Sequence, residues 1–281
     1  MNFFKQKAYM IICQVIMFVA IGLVLCSCSN NTRSRSSNHV WLWSRQTNYT
    51  VSTGAVSSVV ENTWIRYRSE TDFEHRSSDG QSFNRSGQTL IWTRVVENQT
   101  IIQTVVYHST SGLIQSLTIN AHGTISRINY TIVRQSDVGG VRTYRHFITD
   151  TGGIGAHSIH VIQNGRTLET RNFSATNALT TISRHTHTAT STVTRNYNAN
   201  NVLTTMTTSF APDNEIIRRK LPSFRLHNME HHAIPNANTT QTVEVLSDSA
   251  SELVLRIRHF NSSNVLFAQT DLTYIRFNRR G

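Results

Sequence analysis

Histidines form the groups in this chain that could bind a metal ion. The segment His227-Asn228-Met229-Glu230-His231-His232 has two histidines and a glutamate in the spacing H-x-x-E-H. On a helix, His227 and His231 would share one face and could hold a metal with a third ligand. Pro222 and Pro235 flank the segment closely, so a helix of sufficient length is not expected. We therefore predict no catalytic zinc site, and metal binding by His227–His232 stays open.

Other catalytic chemistry is sparse. The H-x-x-E-H string matches that of inverted zinc peptidases, but thirteen histidines in 281 residues make chance matches common. His185 and His187 would face one side of a strand. That they are ordinary polar residues of this strand is a simpler interpretation than that they are a pair of metal ligands. The chain has no G-x-S-x-G elbow and no cysteine after Cys28. We predict a protein that is not an enzyme and has no catalytic residues, cofactor or metal. A hydrolase with an unrecognised site is an alternative.

Arginine carries nearly all the positive charge beyond the first residues. The chain has 27 Lys+Arg against 16 Asp+Glu, a formal charge of +11, and Lys220 is the one lysine after Lys7. Guanidinium groups suit carboxylate, sulfate and phosphate. Three arginines stand two residues before the aromatic residue that begins a recurring turn, which puts each pair on one strand face. These pairs are Arg171 with Phe173, Arg195 with Tyr197, and Arg258 with Phe260.

We predict that these three arginines form a row that binds anionic polymers. Acidic glycan or lipopolysaccharide is the expected class, and no specific nucleic acid is expected. The alternative is that the arginines are scattered over solvated strand faces and only keep the protein soluble.

A recurring turn would position these arginines. Four segments share a large apolar residue, then usually Asn or Ser, then Asn or Gly four positions on and Leu or Ile six positions on. They begin at Ile119, Phe173, Tyr197 and Phe260. The first polar side chain can bond to the turn backbone, and Asn or Gly accepts the left-handed conformation that closes a type I turn with a bulge. We predict positive φ at Asn177, Asn201 and Asn264.

The turn pattern resembles a known repeat. Tyr197-Asn198-x-x-Asn201-x-Leu203 is similar to the YD hairpin repeats of bacterial surface and RHS-type proteins, over about a third of the chain. Those repeats carry Asp and Gly together, which the turns after Phe173 and Phe260 lack. The resemblance implies a series of adjoining β-hairpins.

Alternating apolar residues predict strands from residue 60 onward, and no segment has a helical stripe. We predict an all-β fold, an antiparallel meander of β-hairpins with little helix, as a large twisted sheet, a sandwich or an open barrel. Residues 40–208 would form the main β domain, and 241–281 the closing strands. Between them, 209–240 would be an excursion that holds all three prolines, with one helical turn at Glu215–Lys220.

All four tryptophans precede residue 93, at positions 41, 43, 64 and 92. We expect them to bury one end of the core. A surface aromatic cluster that stacks on sugar rings is the alternative.

The first 28 residues resemble the signal peptide of a bacterial lipoprotein. Lys5 and Lys7 precede a nearly all-apolar run, and Leu25-Cys26-Ser27-Cys28 matches a lipobox. The resemblance implies removal of residues 1–27, acylation of Cys28 with palmitate or a similar chain, and, from Ser29, the outer membrane. An uncleaved anchor and an ordinary signal peptide that happens to contain cysteine are the alternatives.

Residues 28–39 would be a flexible tether between lipid and domain. Loss of Lys5 and Lys7 would lower the charge from +11 to +9. We therefore predict a lipid-anchored protein of the bacterial envelope with a binding role, and a purely structural envelope component is the alternative. The ligand, the membrane face and the oligomeric state stay open.

Overall fold

A computed structural model describes residues 39–96, 99–121, 123–149, 155–232, 234 and 237–278, so the predicted signal segment and Cys28 lie outside the described residues. The strands are β1 (His39–Tyr49), β2 (Val56–Ser69), β3 (Asp72–Ser77), β4 (Ser82–Ser86), β5 (Thr89–Val96), β6 (Gln99–Tyr107), β7 (Ile114–Ala121), β8 (Thr124–Val138), β9 (Val141–Ile148), β10 (His157–Gln163), β11 (Arg166–Phe173), β12 (Leu179–His187), β13 (Ser191–Asn198), β14 (Leu203–Phe210), β15 (Leu226–His231), β16 (Thr239–Asp248), β17 (Glu252–Asn261) and β18 (Leu266–Asn278). The described helix, α1, spans Glu215–Lys220, as predicted for that turn. The prediction of an all-β fold with little helix is confirmed.

The eighteen strands form a closed ring. Each strand pairs antiparallel with the strand that follows it in the chain. Strand β18 also pairs antiparallel with β1, from His39 opposite Asn278 to Tyr49 opposite Gln269. The predicted meander is confirmed, but it closes into a β-barrel and is not a sandwich, a large open sheet or an open barrel. Closure pairs the two strands that would otherwise leave exposed edges.

Most of the buried strand side chains lie on one face of the ring. Leu253 and Leu255 on β17 are fully buried, and Gln103 on β6 and Tyr144 on β9 are 2% and 3% exposed. The strand register places all four on the same face of the ring. Side chains on the concave face of a closed sheet converge, so we assign this face to the inside. The same register places the four tryptophans on the inner face. This position is the one expected if they are core residues.

Helix α1 packs on the inner face of the ring. The Asn214 side chain accepts a hydrogen bond from the Ile217 amide at 3.1 Å, which begins the helix. Ile217 and Leu221 then join Leu253 and Leu255 in one buried cluster. Full burial of a Leu or Ile side chain contributes about 1.5–3 kcal/mol, so this cluster is the main apolar core near the seam. No helix in the described part of the chain has the length and hydrophobicity needed to cross a bilayer.

The end of α1 is held to the barrel by its lysine. Lys220 Nζ lies 4.1 Å from the centroid of the Trp41 ring and donates to the Ser249 carbonyl at 2.7 Å. The same ammonium pairs with Asp248. These contacts hold the end of α1 against the barrel wall.

Hydrogen bonds from side chains bridge the contact between β15 and β16. The register between these strands contains one pair, Met229 opposite Thr239. The Gln241 side chain accepts from the His227 amide at 2.7 Å, and Asn228 accepts from the Gln241 amide at 3.0 Å. These amide side chains satisfy backbone groups that a regular ladder would satisfy, so the ring continues through the segment predicted to be an excursion.

A charged network closes the seam between β1 and β18 on the outer face. Both Asp271 oxygens accept from Arg256 at 2.8 Å, and Tyr49 donates to Asp271 at 2.7 Å. Burial alone would raise the pKa of Asp271, but the hydrogen bonds from Arg256 and Tyr49 outweigh it and lower the pKa. The bidentate pair therefore holds an ionised carboxylate where the last strand meets the first.

The predicted turns are confirmed. Asn177, Asn201 and Asn264 have φ of 62°, 60° and 59°. In the turn between β13 and β14, the Asn198 side chain accepts from the Asn200 and Val202 amides, both at 3.0 Å. The pairing of β13 with β14 shifts register between Asn196 and Tyr197, directly before the turn. This shift is the bulge that the turn type requires.

Candidate functional site

Arginines gather on the outer face of the five consecutive strands β9 to β13. The register aligns Arg145 with Ile159 and Ile159 with Arg171, and it places Arg184 directly opposite Arg195. We call Arg145, Arg171, Arg184 and Arg195 the outer arginine cluster. Two of its members, Arg171 and Arg195, were predicted from their spacing to the turn aromatics.

One carboxylate serves two arginines of the cluster. Glu169 accepts from Arg171 Nε at 2.5 Å and from Arg184 Nε at 3.0 Å. Burial alone would raise the pKa of Glu169, but the bonds from Arg184 and Arg171 outweigh it and lower the pKa. Glu169 is the one acid among the described outer-face residues of β9 to β13, so the cluster keeps a net positive charge.

Aromatic rings support the arginine side chains. The guanidinium of Arg184 lies 4.9 Å from the centroid of the Tyr197 ring, and that of Arg145 lies 5.4 Å from the Phe147 ring. Cation–ring contacts orient a guanidinium without neutralising its charge. The side chains of Arg171 and Arg184 are 49% and 44% exposed, so a ligand in solvent can reach them.

An open recess adjoins the cluster on the same face. It has a volume of about 360 Å³ and is lined in part by Arg145, His157, Ile159 and the turn residue Asn177. His157 stacks on Phe173 with the ring centroids 4.7 Å apart and the planes at 5°. The recess thus combines the cation of Arg145 with the ring of His157, which suits an anionic ligand better than an apolar one.

The third predicted arginine lies elsewhere on the outer face. Arg258 is on β17, four strands from Arg195, which is about 19 Å at the usual strand spacing. It pairs with Glu244 at 2.9 Å. The structure therefore brings Arg171 and Arg195 together and leaves Arg258 apart from them.

The fold does not bring the three possible ligands of the H-x-x-E-H string together. The His227–His232 segment lies on and just after β15, where His227 and His231 point inward, about 13 Å apart along the strand, and Glu230 points outward. A single ion cannot be bound by all three. No group of three metal-ligating side chains converges anywhere in the described ranges.

Histidines instead belong to the inner wall of the barrel. His185 and His187 lie on β12 as predicted, with Thr194 and Thr192 at 2.9 and 3.1 Å from their Nδ1 atoms. His160 has Ser158 and Thr170 at 2.7 and 3.2 Å. Burial lowers the pKa of His160 to about 4, so this imidazole is neutral near pH 7.

Sequence reasoning missed Arg145 and Arg184 as members of the cluster. Neither stands two residues before a turn aromatic in the recurring pattern. Arg184 joins because β12 pairs with both β11 and β13, and Arg145 joins through the β9–β10 and β10–β11 registers. Strand alternation could have put Arg184 on the outer face, but the neighbours across strands follow only from the register.

No family model matches the chain, and no curated protein matches it. Among solved structures, the chain is similar to the crystal structure of a porin-like protein from Bacteroides vulgatus. The identity is 10%, the match covers 82% of this chain and 97% of that chain, and the TM-score is 0.34. A likeness at this TM-score does not establish a shared fold or function. The resemblances to lipoprotein signals and to YD repeats stay predictions.

Proposed function

We propose that this protein is a lipid-anchored component of the bacterial envelope that binds anionic polymers through its outer arginine cluster. The observation that carries the proposal is the direct opposition of Arg184 and Arg195 on neighbouring strands. Like charges directly opposite each other destabilise a sheet. One carboxylate, from Glu169, compensates part of this repulsion, and a polyanion would compensate the rest.

The spacing of the cluster suits a polymer. Arg171 and Arg195 lie two strands apart, which places their Cα atoms about 10–12 Å from each other. That distance spans more than one charged group, so a chain of sulfates, phosphates or uronic acids would contact several arginines at once. A polymer that crosses the strands would reach Arg258 as a second contact.

The test is salt elution from a heparin column. The double variant Arg171→Gln/Arg195→Gln should elute at clearly lower salt than the wild type, because each lost arginine removes one released counterion from the binding equilibrium. The slope of its log binding constant against log salt concentration should be shallower by an amount that corresponds to about two lost ionic contacts. A neutral glycan column should retain neither protein.

The matched control is Arg76→Gln/Arg127→Gln, which removes the same charge from the outer faces of β3 and β8, away from the cluster. It should elute close to the wild type. Equal elution of the two double variants would mean that net charge alone retains the protein, and the structural-component alternative would replace the binding role.

The anchor part of the proposal concerns Cys28. The mature protein should begin at Cys28 and carry acyl chains there, because a stable anchor needs two chains or more. Intact mass of protein purified from membranes measures this directly. An unmodified amino terminus at another residue would remove the lipid anchor from the proposal and leave the cluster untouched.

A further inference from the structure

A small, partly open cavity lies on the inner face at the end of the barrel opposite the four asparagine and glycine turns described above. Its volume is about 120 Å³, and its lining includes Arg142, Tyr144, Ile162 and residues of three connecting turns. The turn residues are Thr110, Gly140, Asn164 and Gly165. Asn164 and Gly165 have φ of 51° and 74°, as in the tight hairpin turn favoured by Asn-Gly. A cavity of about 150 Å³ can hold benzene, so this one admits a group of phosphate or short carboxylate size.

Tyr144 supplies a buried hydroxyl at this cavity. Its side chain is 3% exposed, and its hydroxyl has no hydrogen-bond partner of ordinary geometry among the described residues. A buried hydroxyl without a partner costs about 1–3 kcal/mol. The hydroxyl lies close enough to the Arg142 guanidinium to interact with it, so a phenol and a cation meet at the cavity wall.

The charges around the cavity leave a positive excess. Arg142 Nε and Arg134 Nη1 lie 3.1 and 3.2 Å from the same Asp137 oxygen. Two guanidinium groups therefore share one carboxylate. The hydrogen bond that Arg142 donates to Asp137 is the main reason that the pKa of Arg142 is raised, which keeps that arginine charged. Ile162, 5% exposed, forms an apolar part of the cavity wall.

We propose that this cavity binds a phosphate-sized oxyanion through Arg142 and the Tyr144 hydroxyl. Arg142 donates from the guanidinium nitrogens that Asp137 does not use, and Tyr144 donates its buried proton. Thr110 and Asn164 add a hydroxyl and an amide at the turn end of the cavity. The site is separate from the outer arginine cluster, because Arg142 and Tyr144 lie on the opposite face of β9 from Arg145.

The experiment is calorimetric titration of the wild-type protein and single variants with inorganic phosphate at constant ionic strength. Arg142→Gln should weaken phosphate binding by about tenfold or more, because it removes a charged donor. Tyr144→Phe should weaken it about threefold or more, because it removes a neutral donor. Since Tyr144→Phe deletes an unpartnered hydroxyl, its melting temperature without phosphate should be unchanged or higher, which separates lost binding from misfolding.

Two control variants keep the same chemistry away from the cavity. Tyr130→Phe changes another inner-face tyrosine, which stacks on His146 with centroids 4.6 Å apart, and Arg127→Gln changes an exposed outer-face arginine. Both should bind phosphate as the wild type does. Arg171→Gln/Arg195→Gln should also bind as the wild type, so failure of this site and failure of the polymer-binding proposal are distinguishable.

The same titrations are repeated with glycerol phosphate and with acetate. Binding of inorganic phosphate and glycerol phosphate alike supports an esterified source such as a lipid or polymer head group. Binding of inorganic phosphate or acetate alone supports a free anion. The proposal is overturned if no saturable heat is seen with any of the three, or if Arg142→Gln and Tyr144→Phe bind as tightly as the controls.

Discussion

Asn201 shows how one residue sets the geometry of a hairpin. Its φ of 60° lies in the left-handed region, and its amide donates to the Asn198 carbonyl at 3.0 Å. Asparagine tolerates this conformation better than most residues, and glycine tolerates it without cost. The turn depends on residues close in sequence, which is why its backbone could be predicted before any long-range contact was known.

We predict that Asn201→Gly leaves the free energy of unfolding unchanged or slightly higher, and that Asn201→Val lowers it by about 1 kcal/mol or more, because a β-branched side chain clashes at positive φ. The same ranking should hold at Asn177 and Asn264. Urea unfolding of the paired variants measures the difference. A valine variant at least as stable as its glycine counterpart at all three positions would contradict the turn geometry.

Arg184 marks the limit of prediction at the residue scale. Its place opposite Arg195 and beside Glu169 depends on the registers of two strand pairs. A shift of one residue in either pair would point it to the other face. The same limit applies to Arg142 and Tyr144, whose cavity is closed by turns that lie far away in the sequence.

At the element scale, β15 shows why the His227–His232 string was ambiguous. The spacing of His227 and His231 suits one face of a helix, while the flanking prolines argue against a helix. The structure forms a strand that pairs fully with β14 but shares one register pair with β16. Pairing with β14 could not be read from this segment, because its polar residues show no clean alternation.

We predict that Gln241→Leu destabilises the barrel at the β15–β16 contact. The variant removes the acceptor of the His227 amide, and an unsatisfied buried backbone group costs about 1–3 kcal/mol. Hydrogen exchange should show faster exchange at β15 amides than at β17 amides, and urea unfolding should show the loss of stability.

The control for this prediction is Gln115→Leu, the same substitution at an exposed position of β7. It should change the unfolding free energy by no more than about 0.5 kcal/mol. Equal effects of the two substitutions would show that Gln241 acts as an ordinary surface residue and that the contact is held in another way.

At the scale of the whole molecule, the sequence could not predict that the strands close into a barrel. A meander of alternating strands fits an open sheet and a closed ring equally well, because neighbours in the chain are neighbours in both. What decides is the pairing of β1 with β18, between residues more than two hundred positions apart. The Asp271 network with Arg256 and Tyr49 lies at this pairing, and none of its members shows its partner by sequence spacing.

Closure also places titratable side chains inside. Burial lowers the pKa of six inner-face histidines, and it lowers the pKa of His75 and His160 to about 4. The other four are His146, His185, His227 and His259. In an unfolded chain, histidine titrates near pH 6.5. Between about pH 6.5 and 4 the unfolded state therefore binds more protons than the barrel, so stability falls as the pH falls through this window.

We predict a flat stability from pH 8 to 7 and a steep loss from pH 6.5 to 4.5, with His75 and His160 each contributing on the order of 2–3 kcal/mol. Urea unfolding at stepped pH measures the profile. Glu169 and Asp271 have lowered pKa values despite their burial, because arginines bond to them, and they lose their charge only at lower pH. His160→Gln should flatten the slope between pH 6.5 and 4.5, while His232→Gln, at an exposed position, should leave it unchanged. A profile that declines equally in both variants would mean that the inner wall admits water and protons in the folded barrel.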